Sequence, residues 1–182
     1  SLHKGNGELH IININYSKKV LPGILEKSNS LSQLKAIDFA VNECMNKNYD
    51  ALVTLPINKK ILSSYTKKFT GHTEYISELC GTKNKEVMLL VDNKKLRVAL
   101  VTTHIPLSKV AQAITKIKLE QTIKTIDKDL RNNFKIKNPR ITITGLNPHS
   151  GEEGEFGNEE KKIITPVIKK LIIEGLNLVG PI

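Results

Sequence analysis

The sequence predicts an α/β fold, an αβα sandwich built on a largely parallel central sheet. Short apolar runs at 51–55, 87–91, 96–102 and 140–144 have the length and β-branched content of buried strands. Between and around them lie stretches with apolar residues at helical spacing, chiefly 34–44, 108–133 and 163–172. Strands alternating with helices favour layers around a parallel sheet over a bundle or an all-β sandwich.

The elements follow in order. Leu9 to Tyr16 alternates and reads as a strand, closed by the Pro22-Gly23 turn. Ser28, Ser30 and Ser32 offer N-caps to a helix whose stripe is Leu34, Ala36, Ile37, Phe39, Ala40, Val41 and Cys44. Ala51-Leu52-Val53-Thr54-Leu55 reads as a buried strand ended by Pro56. The run from Val87 to Val91 is separated from Leu96–Thr102 by an Asp92-Asn93 turn, and Pro106 stops further extension. Residues 108–133 read as a helix in two pieces. Pro139 precedes an Arg140–Thr144 strand that ends at Gly145. The last helix is expected near Asn158, with Glu159 and Glu160 favouring its first turn, an inner face of Ile163, Ile164, Val167, Ile168, Leu171 and Ile172, and Gly175 as its C-terminal cap. Leu178 to Ile182 reads as a strand or turn heading onward.

Composition narrows the function classes. Of the 182 residues 39% are hydrophobic and only 4% aromatic, so Ile, Leu and Val must fill the core. No apolar run approaches the roughly 20 residues that span a bilayer, and no export signal is visible. Cys44 and Cys80 read as free thiols of a reducing compartment, which predicts a cytoplasmic protein. The net charge of +10 invites a nucleic-acid reading, but lysine dominates and is spread in pairs such as Lys59-Lys60, Lys67-Lys68 and Lys94-Lys95. Arginine occurs only at 97, 131 and 140, so bidentate base readers and stacking rings are scarce. The expectation is a solvated lysine surface, with neither nucleic acid nor membrane as partner.

Chemistry gathers after the strands. Open parallel sheets bind ligands beyond their carboxyl ends. His104 follows 96–102, His149 follows 140–144, and His72 lies in the segment after 51–55, so parallel topology is expected to bring the three imidazoles to one edge. Histidines so far apart in sequence, with no Cys pairs, do not make a structural zinc module. They suit an open Lewis-acid site, or are loop histidines satisfied by backbone. The acidic, glycine-rich stretch 151–157 has neither dinucleotide-fingerprint nor Walker spacing, and reads as a loop into a helix or as a mobile cover. Lys59 follows a strand end and either reaches an anionic group or is solvated. His3 and His10 carry no partner pattern.

Four blocks together resemble the 4-hydroxythreonine-4-phosphate dehydrogenase family. They are Ala51 to Lys59, Phe69-Thr70-Gly71-His72-Thr73-Glu74, Val98 to Leu107 with Thr102-Thr103-His104-Ile105-Pro106, and Gly145-Leu146-Asn147-Pro148-His149-Ser150-Gly151-Glu152. The resemblance implies a fold similar to isocitrate and isopropylmalate dehydrogenases and a homodimer with active sites at the subunit interface. It implies oxidation of 4-phosphooxy-L-threonine with NAD or NADP, then decarboxylation to 3-amino-2-oxopropyl phosphate in pyridoxine synthesis. It implies a divalent metal (Zn, Mg or Co) held by His104 and His149, and substrate binding by His72 and Thr73. It assigns no catalytic or cofactor-binding residue here. Leu55 stands where the family usually has Gly. Residues 1–182 are expected to be a partial chain, mainly the central α/β domain, lacking the family's usual glycine-rich start and the C-terminal portion with a third metal-binding His. The alternatives are a related β-decarboxylating dehydrogenase of another phosphorylated hydroxy acid, and a non-catalytic fragment.

Overall fold

A computed structural model describes residues 7, 9–66, 69, 71–82, 86–93, 96–147, 149 and 155–182. The chain divides into two compact units, Ser1–Asn84 and Lys85–Ile182. Helices and short strands mix along the chain, as the α/β expectation requires.

In the first unit, helix α1 (Ser30–Met45) follows a 3-10 turn at Lys27–Asn29. Leu34, Ile37 and Val41 form its buried stripe and pack with Leu62 and Phe69. The stripe is narrower than its sequence suggests, since Phe39 is exposed. The serines do not cap α1 in the expected way. Glu26 instead accepts from the Ser28 amide and hydroxyl at 3.1 and 2.7 Å. Asn29 is buried and exchanges two bonds with the Lys18 backbone, and the Ser32 hydroxyl donates to the Asn15 carbonyl at 2.8 Å.

Those bonds explain why Leu9–Tyr16 is not the expected strand. The segment is irregular, and Leu9 and Ile11 are 80% and 78% exposed. It is tied to α1 through side chains rather than through a ladder. Residues 51–55 are likewise irregular, with Val53 and Leu55 at the surface and only Leu52 packing against the core. Among the described residues of this unit no strand is present to pair with either run. β propensity reports fit to a pleated surface and cannot supply the partner.

Two short helices follow. Asn58 caps α2 (Lys59–Tyr65) by accepting the Ile61 amide at 3.1 Å. Helix α3 (His72–Leu79) starts at Gly71. Tyr75 ties α3 to α1 by donating its hydroxyl to Asp38 at 2.7 Å.

In the second unit, β1 (Met88–Val91) and β2 (Arg97–Leu100) form an antiparallel hairpin with Met88 opposite Leu100 and Val91 opposite Arg97. The two runs were expected in a parallel sheet. Their connection is far too short for a parallel crossover, which takes a dozen residues or more. Asp92 closes the turn, its carboxylate accepting the Leu96 amide at 2.8 Å. After a 3-10 turn at Leu107–Lys109, the expected two-piece helix appears as α4 (Val110–Ala113) and α5 (Lys116–Asn132). The break falls where Thr115 turns extended and caps α5.

Strand β3 (Ile141–Thr142) pairs in parallel with β4 (Leu178–Val179). Bonds from Ile143 to Val179, Ile182 to Ile143 and Gly145 to Ile182 prolong the ladder. Gly180 is required there, because a β carbon would collide with the Ile143 carbonyl. The crossover between these strands carries a π-helical segment, Glu160–Ile164, running into α6 (Thr165–Ile173). Pro166 has no N–H to continue the regular ladder, which accompanies the wider turn before it. Ile164, Val167, Ile168 and Leu171 pack against Leu119 and Ile123 of α5 and Leu178 of β4. Ile172, expected inside, is 47% exposed. Gly175 lies just past α6 with φ of 96°, as its capping role demands.

Burial and the Asp38 carboxylate push the Tyr75 hydroxyl up to about 12 from an ordinary 10.0. Across that window the unfolded chain sheds a proton that the folded chain keeps, so stability falls as pH rises through it. Tyr75→Phe is expected to cost about 1 kcal/mol near neutral pH. It should also flatten this alkaline decline, as read by denaturant titration at several pH values.

Candidate functional site

The predicted site residues are distributed over both units. His72 and Thr73 open α3 in the first; His104 and His149 belong to the second. The strands before the latter two are not neighbours. β2 pairs with β1, and β3 with β4, so the described ladders do not set the two imidazoles on adjacent parallel strands. Among the described residues, no three His, Cys, Asp or Glu side chains are grouped so as to hold a metal ion. His10 is exposed, whereas His3 and the stretch 150–154 lie outside the described residues.

His104 adopts a strained backbone conformation. It sits between β2 and Pro106 with φ of 56° and an exposed side chain. A non-glycine residue in the left-handed region costs about 1 kcal/mol or more, and histidine tolerates it better than branched residues do. Val101 packs on the core just upstream, so the exposed bend grows from an anchored strand end.

His149 is held by hydrogen bonds. Its amide donates to the Asn147 side chain at 2.9 Å, an Asx turn. Asn147 in turn donates to the Phe156 carbonyl at 3.0 Å. The His149 ring stacks on Phe156 with centroids 4.8 Å apart and planes 22° apart. One residue before the turn, the Leu146 amide donates to Glu160 at 2.7 Å. Glu160 was expected only to favour the helix's first turn, and it is buried, 5% exposed. Its position four residues before Ile164, in register with the buried stripe, was the available signal.

The first unit builds a different kind of environment. Gly71 is buried and extended at the start of α3. A methyl group on it would collide with the Glu74 carboxylate and lie 3.4 Å from Nζ of Lys59, so an acid and an ammonium both stand beside the opening turn of α3. Thr73 is exposed there, and half-buried His72 meets Phe69 edge-on at 6.0 Å. A helix start, a hydroxyl, an imidazole and an ammonium are groups that receive an anion, with the Glu74 carboxylate as a competing negative charge. Close by in sequence, Pro56, Ile57 and Asn58 line a groove of about 300 Å³ with Pro22, Gly23 and Glu26. Leu55 is 81% exposed, so its side chain does not crowd the interior of this unit.

The fold first defines a class. A solved terephthalate 1,2-cis-dihydrodiol dehydrogenase from Burkholderia xenovorans LB400 superimposes with a TM-score of 0.67 at 22% identity, over 93% of this chain and 54% of that one. At that distance the likeness is one of fold alone, and the chain shares an α/β architecture with that structure. Within that class the sequence is more specific. Residues 2–182 match the family described as pyridoxal phosphate biosynthetic protein PdxA, and the chain belongs to that family.

Similar relatives include 4-hydroxythreonine-4-phosphate dehydrogenases of Marinobacter nauticus (39% identical, 97% of this chain and 52% of the relative) and Thioalkalivibrio sulfidiphilus (45% identical, 90% and 49%). A solved 4-hydroxythreonine-4-phosphate dehydrogenase from Klebsiella pneumoniae has a TM-score of 0.81 at 30% identity, over 89% of this chain and 49% of that one. The chain thus spans about half the length of the curated relatives it matches.

Substitution at residue 104 separates strain from function. His104→Gly is expected to leave stability within about 1 kcal/mol, because relief of the left-handed strain offsets glycine's greater freedom when unfolded. His104→Val should lose about 1–2 kcal/mol, since a branched side chain fits that region worst. Thermal denaturation of both variants reads the difference.

Proposed function

We propose that the chain is part of an NAD- or NADP-dependent, divalent-metal-dependent 4-hydroxythreonine-4-phosphate dehydrogenase acting in the cytoplasm as a homodimer with active sites at the subunit interface. Its substrate on this reading is 4-phosphooxy-L-threonine. Oxidation of the secondary alcohol gives a β-keto acid, whose loss of CO2 leaves 3-amino-2-oxopropyl phosphate for pyridoxal 5'-phosphate synthesis. The observation that carries the reading is the match of residues 2–182 to one family, with motif histidines exposed and conformationally set. Cys44 and Cys80, both free, suit a reducing compartment.

The donor chemistry fits a divalent cation. His104 and His149 offer neutral imidazoles, ordinary nitrogen ligands for zinc or cobalt, from exposed and locally fixed turns. Two imidazoles alone leave the remaining positions to other ligands and to substrate, which is the open geometry catalysis needs. When bound, the cation supplies Lewis acidity toward the substrate hydroxyl. His72, Thr73 and the amides opening α3 bind the anionic substrate, and Lys59 adds charge beside them. A bound nicotinamide would supply the hydride acceptor, so the protein's part is placement and polarisation.

In the full-length protein, His104→Ala and His149→Ala are each expected to weaken divalent-metal binding by about 100-fold, at least the loss typical of outer-shell partners. Turnover should vanish while the thermal midpoint stays near that of the unsubstituted protein. Metal content matching the unsubstituted protein in both variants would contradict the assignment. Lys59→Ala should raise KM for the phosphorylated substrate about tenfold with little change in kcat, the signature of lost ground-state binding; an unchanged KM would leave Lys59 a solvated lysine.

A further inference from the structure

Glu160 occupies a place where an apolar residue would serve stability better. It continues the stripe of Ile164, Val167, Ile168 and Leu171 and is as buried as they are. One carboxylate oxygen, Oε1, accepts the Leu146 amide at 2.7 Å. The other, Oε2, is buried and has no hydrogen-bond partner. A buried carboxylate with unused acceptor capacity is costly, so packing does not account for this glutamate.

The amide it holds is well chosen. Gly145 is fixed by the ladder to Ile182, and Asn147 by the Phe156 carbonyl. Leu146 between them is fixed by Glu160, and the next described residue, His149, rests on Asn147 through its amide and on Phe156 through its ring. The π-helical segment starts at Glu160, whose carbonyl accepts the Thr165 amide across the widened turn. Such segments often mark functional places in helices.

We infer that Glu160 is a positioning residue for His149: its buried carboxylate pins the Leu146 amide, so that the following turn presents the imidazole in one orientation. The inference rests on the reading of His149 as a metal ligand. Losing an outer group that orients a ligand typically costs about 10- to 100-fold in metal affinity.

The test uses full-length protein, Co2+ alone as probe, and titration calorimetry beside hydrogen exchange at the Leu146 amide. Glu160→Leu is expected to hold or raise the thermal midpoint, while weakening Co2+ binding about 10- to 100-fold and speeding exchange at Leu146. Glu160→Gln keeps reach and a carbonyl acceptor, and should bind Co2+ within about threefold of the unsubstituted protein. Glu160→Asp keeps the charge but falls one methylene short, and should lose about tenfold. The Gln and Asp pair decides the matter even where the leucine variant fails to fold. Equal Co2+ affinity in Gln and Asp variants, or a lowered midpoint with unchanged affinity in Glu160→Leu, overturns the positioning role. Failure of the unsubstituted protein to bind Co2+, or unchanged binding in His149→Ala, instead overturns the metal reading itself.

Discussion

The seam between α5 and α6 carries the second unit and, through it, the His149 turn. Leu171 is fully excluded from solvent, and Ile164, Val167 and Ile168 are nearly so against Leu119, Ile123 and Leu178. Burying each such side chain contributes about 1.5–3 kcal/mol before entropy is counted. The seam fixes α6, α6 fixes β4, and β4 fixes β3 and the ladder that reaches Gly145. Leu146, Asn147 and His149 follow directly from that ladder. Glu120, Lys124, Lys170 and Glu174 stitch the seam's solvent edge through bonds of 2.8 Å from Glu120 to both lysines. The Lys124 and Lys170 ammonium groups hold the Glu120 carboxyl below its usual range. These charges are open to water, so they align the two helices more than they stabilise them.

Some choices in this unit run against stability. His104 and Lys135 take a left-handed backbone that glycine would adopt freely, and Glu160 puts a carboxylate into an apolar stripe. Elsewhere the residues obey local rules. Asn58 and Thr115 cap their helices, Gly175 ends α6, and Asp92 closes its hairpin. Exceptions to local rules often fall where function is served. One of these is a motif histidine itself and another braces the segment before His149, whereas Lys135 belongs to neither motif.

Much of this was legible in the sequence, for physical reasons that also mark its limits. α1, α5 and α6 announce themselves through the 3.6-residue period of Leu34–Val41, Leu119–Leu130 and Ile164–Leu171, because their faces pack on apolar neighbours. The hairpin runs were legible as strands but not as an antiparallel pair, although the short Asp92 turn held the clue. Leu9–Tyr16 and 51–55 have strand composition without a partner among the described residues of their unit, and composition alone cannot provide one. α2 and α3 are too short to show a period; Asn58 and Gly71 were their only signals. The histidines stood out by type and position. Glu160 did not, because an acid in a first helical turn is ordinarily explained by the helix dipole.

On the proposed reading, the two units meet different demands for accuracy. Recognition of an anionic substrate group by charge is forgiving: an ammonium such as Lys59 on a flexible stem, beside a hydroxyl, tolerates small errors of placement. A metal ligand is not forgiving, since bond lengths must fall within about 0.2 Å of their ideal values. The contrast in construction follows that contrast in demand. The anion-receiving groups open a short helix with an exposed Thr73 and a long lysine side chain. The candidate metal ligands instead sit in a strained bend and in a turn braced by Glu160, Asn147 and Phe156. On this reading local bonds and backbone conformation set the candidate metal ligands, while charge does more of the work at the start of α3.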